Sequence, residues 1–134
     1  MKLVLVGAGG YGASYFSIYE HDIDHAKHTL CAVVDPFADR SDSYPYITKN
    51  HIPVYQTLED FYRQDTADLV IISSPIQFHK EQTLTAVRHG SHVLCEKPLT
   101  ARAEDALEMK KAAREAGRKI GVGFQWSFND ANTR

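Results

Sequence analysis

Gly7, Gly9 and Gly12 form a G-x-G-x-x-G turn directly after the apolar run Leu3-Val4-Leu5-Val6. Glycines so spaced can seat a pyrophosphate: the first permits a tight turn out of a strand, and the second lets phosphate oxygens approach the backbone with no Cβ in the way. The third lets the following helix pack close to the strand. Gly10 and Tyr11 complete the turn, and the phosphates would sit over Gly9 to Gly12. The N–H groups and positive dipole end of the next helix favour an anion there. A second apolar run, Thr29-Leu30-Cys31-Ala32-Val33-Val34, ends on Asp35, further from Gly7 than the usual spacing of about 20 residues. One carboxylate can accept from both hydroxyls of an adenosine ribose, whereas it would repel a 2′-phosphate. NAD rather than NADP is therefore expected, and Arg40 could oppose that preference only by folding back. The other reading of Asp35 is a strand-end turn residue before Pro36.

These groups need a scaffold, and the rest of the chain supplies its pattern. Apolar strands are predicted near 2–6, 29–34, 53–55, 68–73, 92–95 and 119–124, and helices near 10–19, 57–64, 77–89 and 101–116. Such alternation predicts an α/β fold, a doubly wound parallel sheet of the Rossmann type, in a single domain. The polar stretch Glu20 to His28 is read as a loop that absorbs the extra residues before Asp35. Thr57-Leu58-Glu59-Asp60 resembles a capping box with Thr57 as N-cap. In the last helix Ala106, Leu107, Met109, Ala113 and Ala116 are expected to face the sheet, with Gly117 as the stop. Between Pro36 and Pro53, Pro45 interrupts the pattern, so an irregular crossover with at most a short helix is expected.

Composition narrows the function classes. The chain has 134 residues, 15 Lys plus Arg against 17 Asp plus Glu, and a net charge of −2, which gives no electrostatic footprint for nucleic acid. No run approaches the roughly 18 apolar residues of a membrane span, and the sequence opens into a strand without a signal-peptide pattern, so no membrane partner and a cytoplasmic protein are expected. Cys31 and Cys95 each fall in a predicted strand and are expected to be reduced. His21, His25 and His28 have ligand-like spacing, but without a nearby cysteine or an H-E-x-x-H pattern they are read as solvated, and no metal is expected. His89 and His92 flank Gly90, where a helix end can use a histidine against its last carbonyls.

Ligands of doubly wound sheets lie beyond the carboxyl ends of the strands. Three further groups of residues stand there: Ser73, Ser74 and Pro75 with Gln77 and His79; Glu96, Lys97 and Pro98; and Gly123-Phe124-Gln125-Trp126. With the glycine turn, Asp35, the Pro75 to His79 segment and Glu96-Lys97-Pro98 in this order, the chain resembles the nucleotide-binding half of the Gfo/Idh/MocA oxidoreductases. That is the family of glucose-fructose oxidoreductase and inositol dehydrogenase, and the resemblance spans nearly the whole sequence.

The resemblance implies a site. Lys97 would reach the nicotinamide ribose and the reacting oxygen of a substrate, where a cation stabilises developing charge; its plainer alternative is a surface lysine. Glu96 would position Lys97 and the ribose, or be a solvated charge. Pro98 would fix the turn, through a cis bond or as an ordinary turn proline. Ser73, Ser74 and Pro75 would run beneath the pyrophosphate and nicotinamide ribose, with Gln77 and His79 starting the next helix; the plainer alternative for His79 is a hydrogen-bonding group without a chemical role. Gln125 and Trp126 would approach the carboxamide and the substrate cleft.

The family's second α/β domain, which supplies most of the substrate pocket and a His, usually with an Asp, as acid/base, does not fit between Trp126 and Arg134. The expected organisation is therefore 1–126 as the NAD(P)-binding domain and 127–134 as a polar tail, poorly ordered without its continuation. Phe124, Trp126 and Phe128 alternate and would form an apolar face toward the missing part. The complete protein would be a homo-oligomeric dehydrogenase acting on the hydroxyl carbon of a sugar, cyclitol or similar small molecule. The competing readings are a non-enzymatic NAD(H) sensor, in which Glu96-Lys97-Pro98 has no chemical use, and an adenosylmethionine site, which also uses a glycine-rich turn and an acid.

Overall fold

A computed structural model of the chain describes residues 1–124. Strands β1 (Lys2–Val6), β2 (Thr29–Val34), β3 (Val54–Tyr55), β4 (Leu69–Ile72), β5 (His92–Cys95) and β6 (Ile120–Val122) form one sheet in the order β3-β2-β1-β4-β5-β6. Every neighbouring pair is parallel. Helices α1 (Gly12–Asp22), α2 (Tyr44–Lys49), α3 (Leu58–Tyr62), α4 (Ile76–Arg88) and α5 (Ala103–Glu115) connect them. The expected doubly wound sheet is thus formed, and its strand order reverses between β1 and β4, where such sheets open a ligand crevice.

Alternation along β1 sends side chains to both faces. Val4 and Val6 pack with Phe61, Val70, Ile72, Val87 and Ala113 on the side of α3, α4 and α5. Leu3 and Leu5 pack with Phe16 of α1 and Ile47 of α2 on the other. Burial on both sides is why β1 reads as an uninterrupted apolar run. On the α1 side, Leu69 and Ile71 are only partly covered, and with Tyr15, Ile18 and Leu94 they line a cavity of about 220 Å³.

Four details depart from the pattern in the sequence. Helix α1 runs to Asp22, so part of the supposed Glu20–His28 loop is an extra helical turn; an exposed helix end carries the same polar residues as a loop. The crossover after β2 holds the short α2, as expected, but Pro45 does not break it: it lies in the first turn of α2, where its missing N–H has no intrahelical partner to lose. Leu107 does not face the sheet and is 66% exposed, because 100° per residue puts it nearly opposite the buried Met109 and Ala113. Ala116, at the C-cap of α5, is exposed as well. The Thr57 cap is as expected: its Oγ1 accepts from the Asp60 N–H at 3.1 Å and donates to Asp60 Oδ2 at 2.8 Å.

Cys31 and Cys95 are free thiols. Burial is the main cause pushing the Cys95 thiol up to about 12, so its thiolate is scarce at neutral pH. Iodoacetamide at pH 8 should leave Cys95 unlabelled in the native protein and label it in urea. Native labelling would show that β5 opens readily.

Candidate cofactor site

The glycine turn is built where three strand ends meet. The Gly7 N–H donates to the Val34 carbonyl at 3.0 Å and the Ser73 N–H to that of Val6 at 2.8 Å. Gly7 has φ +89°, and a Cβ there would lie 2.8 Å from the Ser73 carbonyl carbon and oxygen. Gly12 is tighter still, with a hypothetical Cβ 2.1 Å from the Gly7 oxygen. Protein backbone thus fills the space at the outer two glycines. Gly9 and Gly10 differ: among the described residues, adjoining ones aside, no atom lies within 4 Å of a Cβ at either, and Gly10 has φ +55°. Bare, open backbone at the start of α1 is the surface that a pyrophosphate requires, and on this observation the site fits a dinucleotide.

Asp35 closes one side of the turn. Its Oδ2 accepts from the Ala8 N–H and its Oδ1 from the Phe37 N–H, both at 2.8 Å. The two readings of Asp35 therefore coincide in part: it is a turn-forming acid, and one of its oxygens ties the glycine turn to the end of β2. Beside it opens a cavity of about 430 Å³ whose wall includes Phe37, Thr57, Pro75, Phe78 and Glu81, within the size range of small-molecule sites. Arg40 does not fold back onto Asp35; its guanidinium lies over the Phe37 ring, 4.9 Å from the centroid.

The turns after β4 and β5 are locked together by His79. This ring is buried, with Nε2 2.7 Å from the Ser74 carbonyl oxygen and Nδ1 3.0 Å from that of Pro98. The Ser74 hydroxyl donates to Gln82 Oε1, whereas Ser73 Oγ is buried with no partner among the described residues. Pro75 lines the cavity, but Gln77 is exposed on the first turn of α4 and its neighbour Phe78 takes the wall.

The Lys97–Pro98 bond is cis. Lys97 is exposed, and among the described residues no carboxylate pairs with its ammonium. Glu96 is not a solvated charge. It accepts from the Tyr15 hydroxyl and, more weakly at 3.3 Å, from the Lys97 N–H.

The glycine turn, Asp35, Ser73 to Pro75 and Glu96-Lys97 thus gather at the carboxyl edge of the sheet. Gln125 and Trp126 lie outside the described residues, as does the Trp126 and Phe128 part of the expected apolar face; Phe124 is 52% exposed. Tyr15, Phe37 and Phe78 belong to the same edge and carry no motif that would single them out. Of the three histidines between α1 and β2, the His21 and His25 rings bond the Ser17 and Tyr19 carbonyls, whereas His28 is not solvated throughout: its Nδ1 is buried with no partner among the described residues. Among the described residues no group of three His, Cys, Asp or Glu could hold a metal ion, and no helix is long and apolar enough to cross a membrane.

A parallel sheet of this order, with a glycine turn at its switch point, defines a nucleotide-binding Rossmann domain. The Gfo/Idh/MocA family model, described as an oxidoreductase family with an NAD-binding Rossmann fold, matches residues 1–124, and the chain belongs to that family. It is 48% identical over 78 residues to a 1,5-anhydro-D-fructose reductase of Ensifer adhaerens, covering 58% of this chain and 23% of that protein. It is 35% identical over 109 residues to a scyllo-inositol 2-dehydrogenase (NADP(+)) of Bacillus subtilis, covering 81% and 33%. The crystal structure of the WlbA dehydrogenase from Chromobacterium violaceum, in complex with NADH and UDP-GlcNAcA, has a TM-score of 0.85 at 30% identity, covering 99% of this chain and 37% of that one. The chain spans well under half the length of each.

Proposed function

We propose that this chain is the cofactor-binding part of an NAD-dependent oxidoreductase that acts on the CH–OH carbon of a sugar, cyclitol or similar small molecule. The open backbone of Gly9 and Gly10, beside a cavity that begins at Asp35, is the observation that carries this reading. In it the pyrophosphate lies over Gly9, Gly10 and Tyr11, while Gly7 and Gly12 shape the turn. Asp35 accepts from the adenosine ribose, and Ser73, Ser74 and Pro75 form the floor toward the nicotinamide, with His79 holding that floor and Gln77 at its rim. Bound NAD supplies hydride exchange at its nicotinamide ring. Lys97 brings a cation to the end of β5, where it stabilises charge on the reacting oxygen, and Glu96 orients that turn. Gln125 and Trp126 complete the nicotinamide end.

Binding separates this reading from a methyl-donor site. NADH should bind the chain and adenosylmethionine should not; preference for adenosylmethionine would overturn the assignment. We also infer that the complete protein is cytoplasmic, has no nucleic-acid or membrane partner and forms a homo-oligomer. The net charge of −2 supports the exclusion of nucleic acid, and sedimentation of the full-length protein tests the assembly.

Asp35 sets the preference between the two nicotinamide cofactors in this reading. A hydrogen bond to a charged group contributes roughly 1.5–3 kcal/mol, and a 2′-phosphate meets repulsion instead. Asp35→Ser should weaken NAD binding and narrow the gap to NADP. Part of the NAD loss will come from the turn itself, since the Ala8 N–H loses its acceptor, so the ratio of the two affinities is the quantity to measure. Equal affinity of the parent for both cofactors would contradict the role of Asp35.

A further inference from the structure

We propose that Tyr15 is a positioning residue whose hydroxyl holds the Glu96 carboxylate at the nicotinamide end of the site, joining the phosphate-binding helix α1 to the Glu96-Lys97-Pro98 turn. This rests on the cofactor reading above. Tyr15 stands on the first turn of α1, just past Gly12, and is partly buried. Its hydroxyl donates to Glu96 Oε1. The other carboxylate oxygen accepts from the Lys97 N–H. On a third side lies Gly123, where a Cβ would come within 2.7 Å of Oε1 and 2.8 Å of Oε2. The carboxylate is therefore held by α1 and by its own turn, and a side chain at position 123 would have to push it aside.

The contact has the properties of a fixed donor. The edge of Tyr11 meets Tyr15 with ring centroids 6.3 Å apart at 75°, which limits how the phenol can swing. Burial first, and the hydrogen bond to Glu96 second, raise the Tyr15 pKa far above its ordinary value. A raised phenol pKa means that the proton stays on Tyr15 through neutral and alkaline pH, so the hydroxyl keeps donating. Without that donor Glu96 retains, among the described residues, only the 3.3 Å bond from the Lys97 N–H, and its carboxylate can rotate away from the Lys97 turn. A phosphate seated on the first turn of α1 and a nicotinamide beside Lys97 would then no longer share a common brace.

The test compares NADH with ADP on this chain, because ADP carries the adenosine and pyrophosphate but lacks the nicotinamide riboside. Tyr15→Phe should leave ADP affinity within about twofold and weaken NADH about tenfold. Glu96→Gln should weaken NADH similarly, and the double variant should be no worse than the poorer single, since the two groups act as one unit. Gly123→Ala, which displaces the carboxylate without touching α1, should reproduce the selective loss, and it carries the test if Tyr15→Phe does not fold. Equal losses for NADH and ADP would mark Tyr15 as a general structural residue and overturn the proposal. Unchanged NADH binding in these variants, or additive losses in the double variant, would do the same. Failure of the parent to bind either ligand overturns the cofactor reading itself, and this proposal with it.

Discussion

Gly9→Val should fold as the parent does and lose nearly all NADH binding. Among the described residues, its chain neighbours aside, no atom lies within 4 Å of a Cβ at position 9, and substitutions at such open sites change stability by about 0.5 kcal/mol or less. The branched side chain would occupy the space assigned to the pyrophosphate, so NADH affinity should fall at least about 100-fold, roughly 2.7 kcal/mol. Gly12→Ala provides the opposite case. Its Cβ would stand 2.1 Å from the Gly7 carbonyl oxygen, a backbone clash that only movement of the turn relieves, at a cost of about 3 kcal/mol. Chemical denaturation and NADH titration on both variants separate a ligand surface from a packing contact. A stable Gly9→Val that binds NADH like the parent would place the phosphates elsewhere.

Lys97→Met, introduced into the complete enzyme, should lower single-turnover hydride transfer by about 10²–10⁴-fold, the range for a lost proton-transfer or charge-stabilising group. Methionine keeps much of the apolar stem and removes the charge. NADH binding should change by less than about tenfold, or 1.4 kcal/mol, because Lys97 is exposed and the proposal has the phosphates and adenosine held at the other end of the site. Near-parental transfer would make Lys97 an ordinary surface lysine and leave the domain a cofactor binder whose chemistry lies elsewhere.

The ends of β1, β2 and β5 were legible because their apolar runs are bounded by charge or glycine, and the glycine turn because each of its glycines answers a distinct steric need. What remained hidden depends on long-range pairing. Asp35 could be matched to a ribose from its place after β2, yet its bond to the Ala8 N–H follows from the β1–β2 register. Tyr15 carries no motif, and its partner Glu96 lies across the fold on the turn after β5. His79 was legible as a polar group at a helix start; that its ring joins two turns required the Pro98 and Ser74 carbonyls to be brought to opposite sides of it. Leu107 failed for a local reason: hydrophobicity outweighed helical phase, and the phase decides burial. The wall aromatics Phe37 and Phe78 were passed over because an exposed phenylalanine has no pattern until a cavity forms beside it.

A crystal structure of this chain with NADH tests the assignment most directly. The pyrophosphate should lie against the backbone of Gly9, Gly10 and Tyr11, the adenosine ribose hydroxyls should meet Asp35, and the nicotinamide riboside should end beside Glu96 and Lys97. Density for NADH away from the glycine turn, or an adenosine ribose that makes no contact with Asp35, would contradict it.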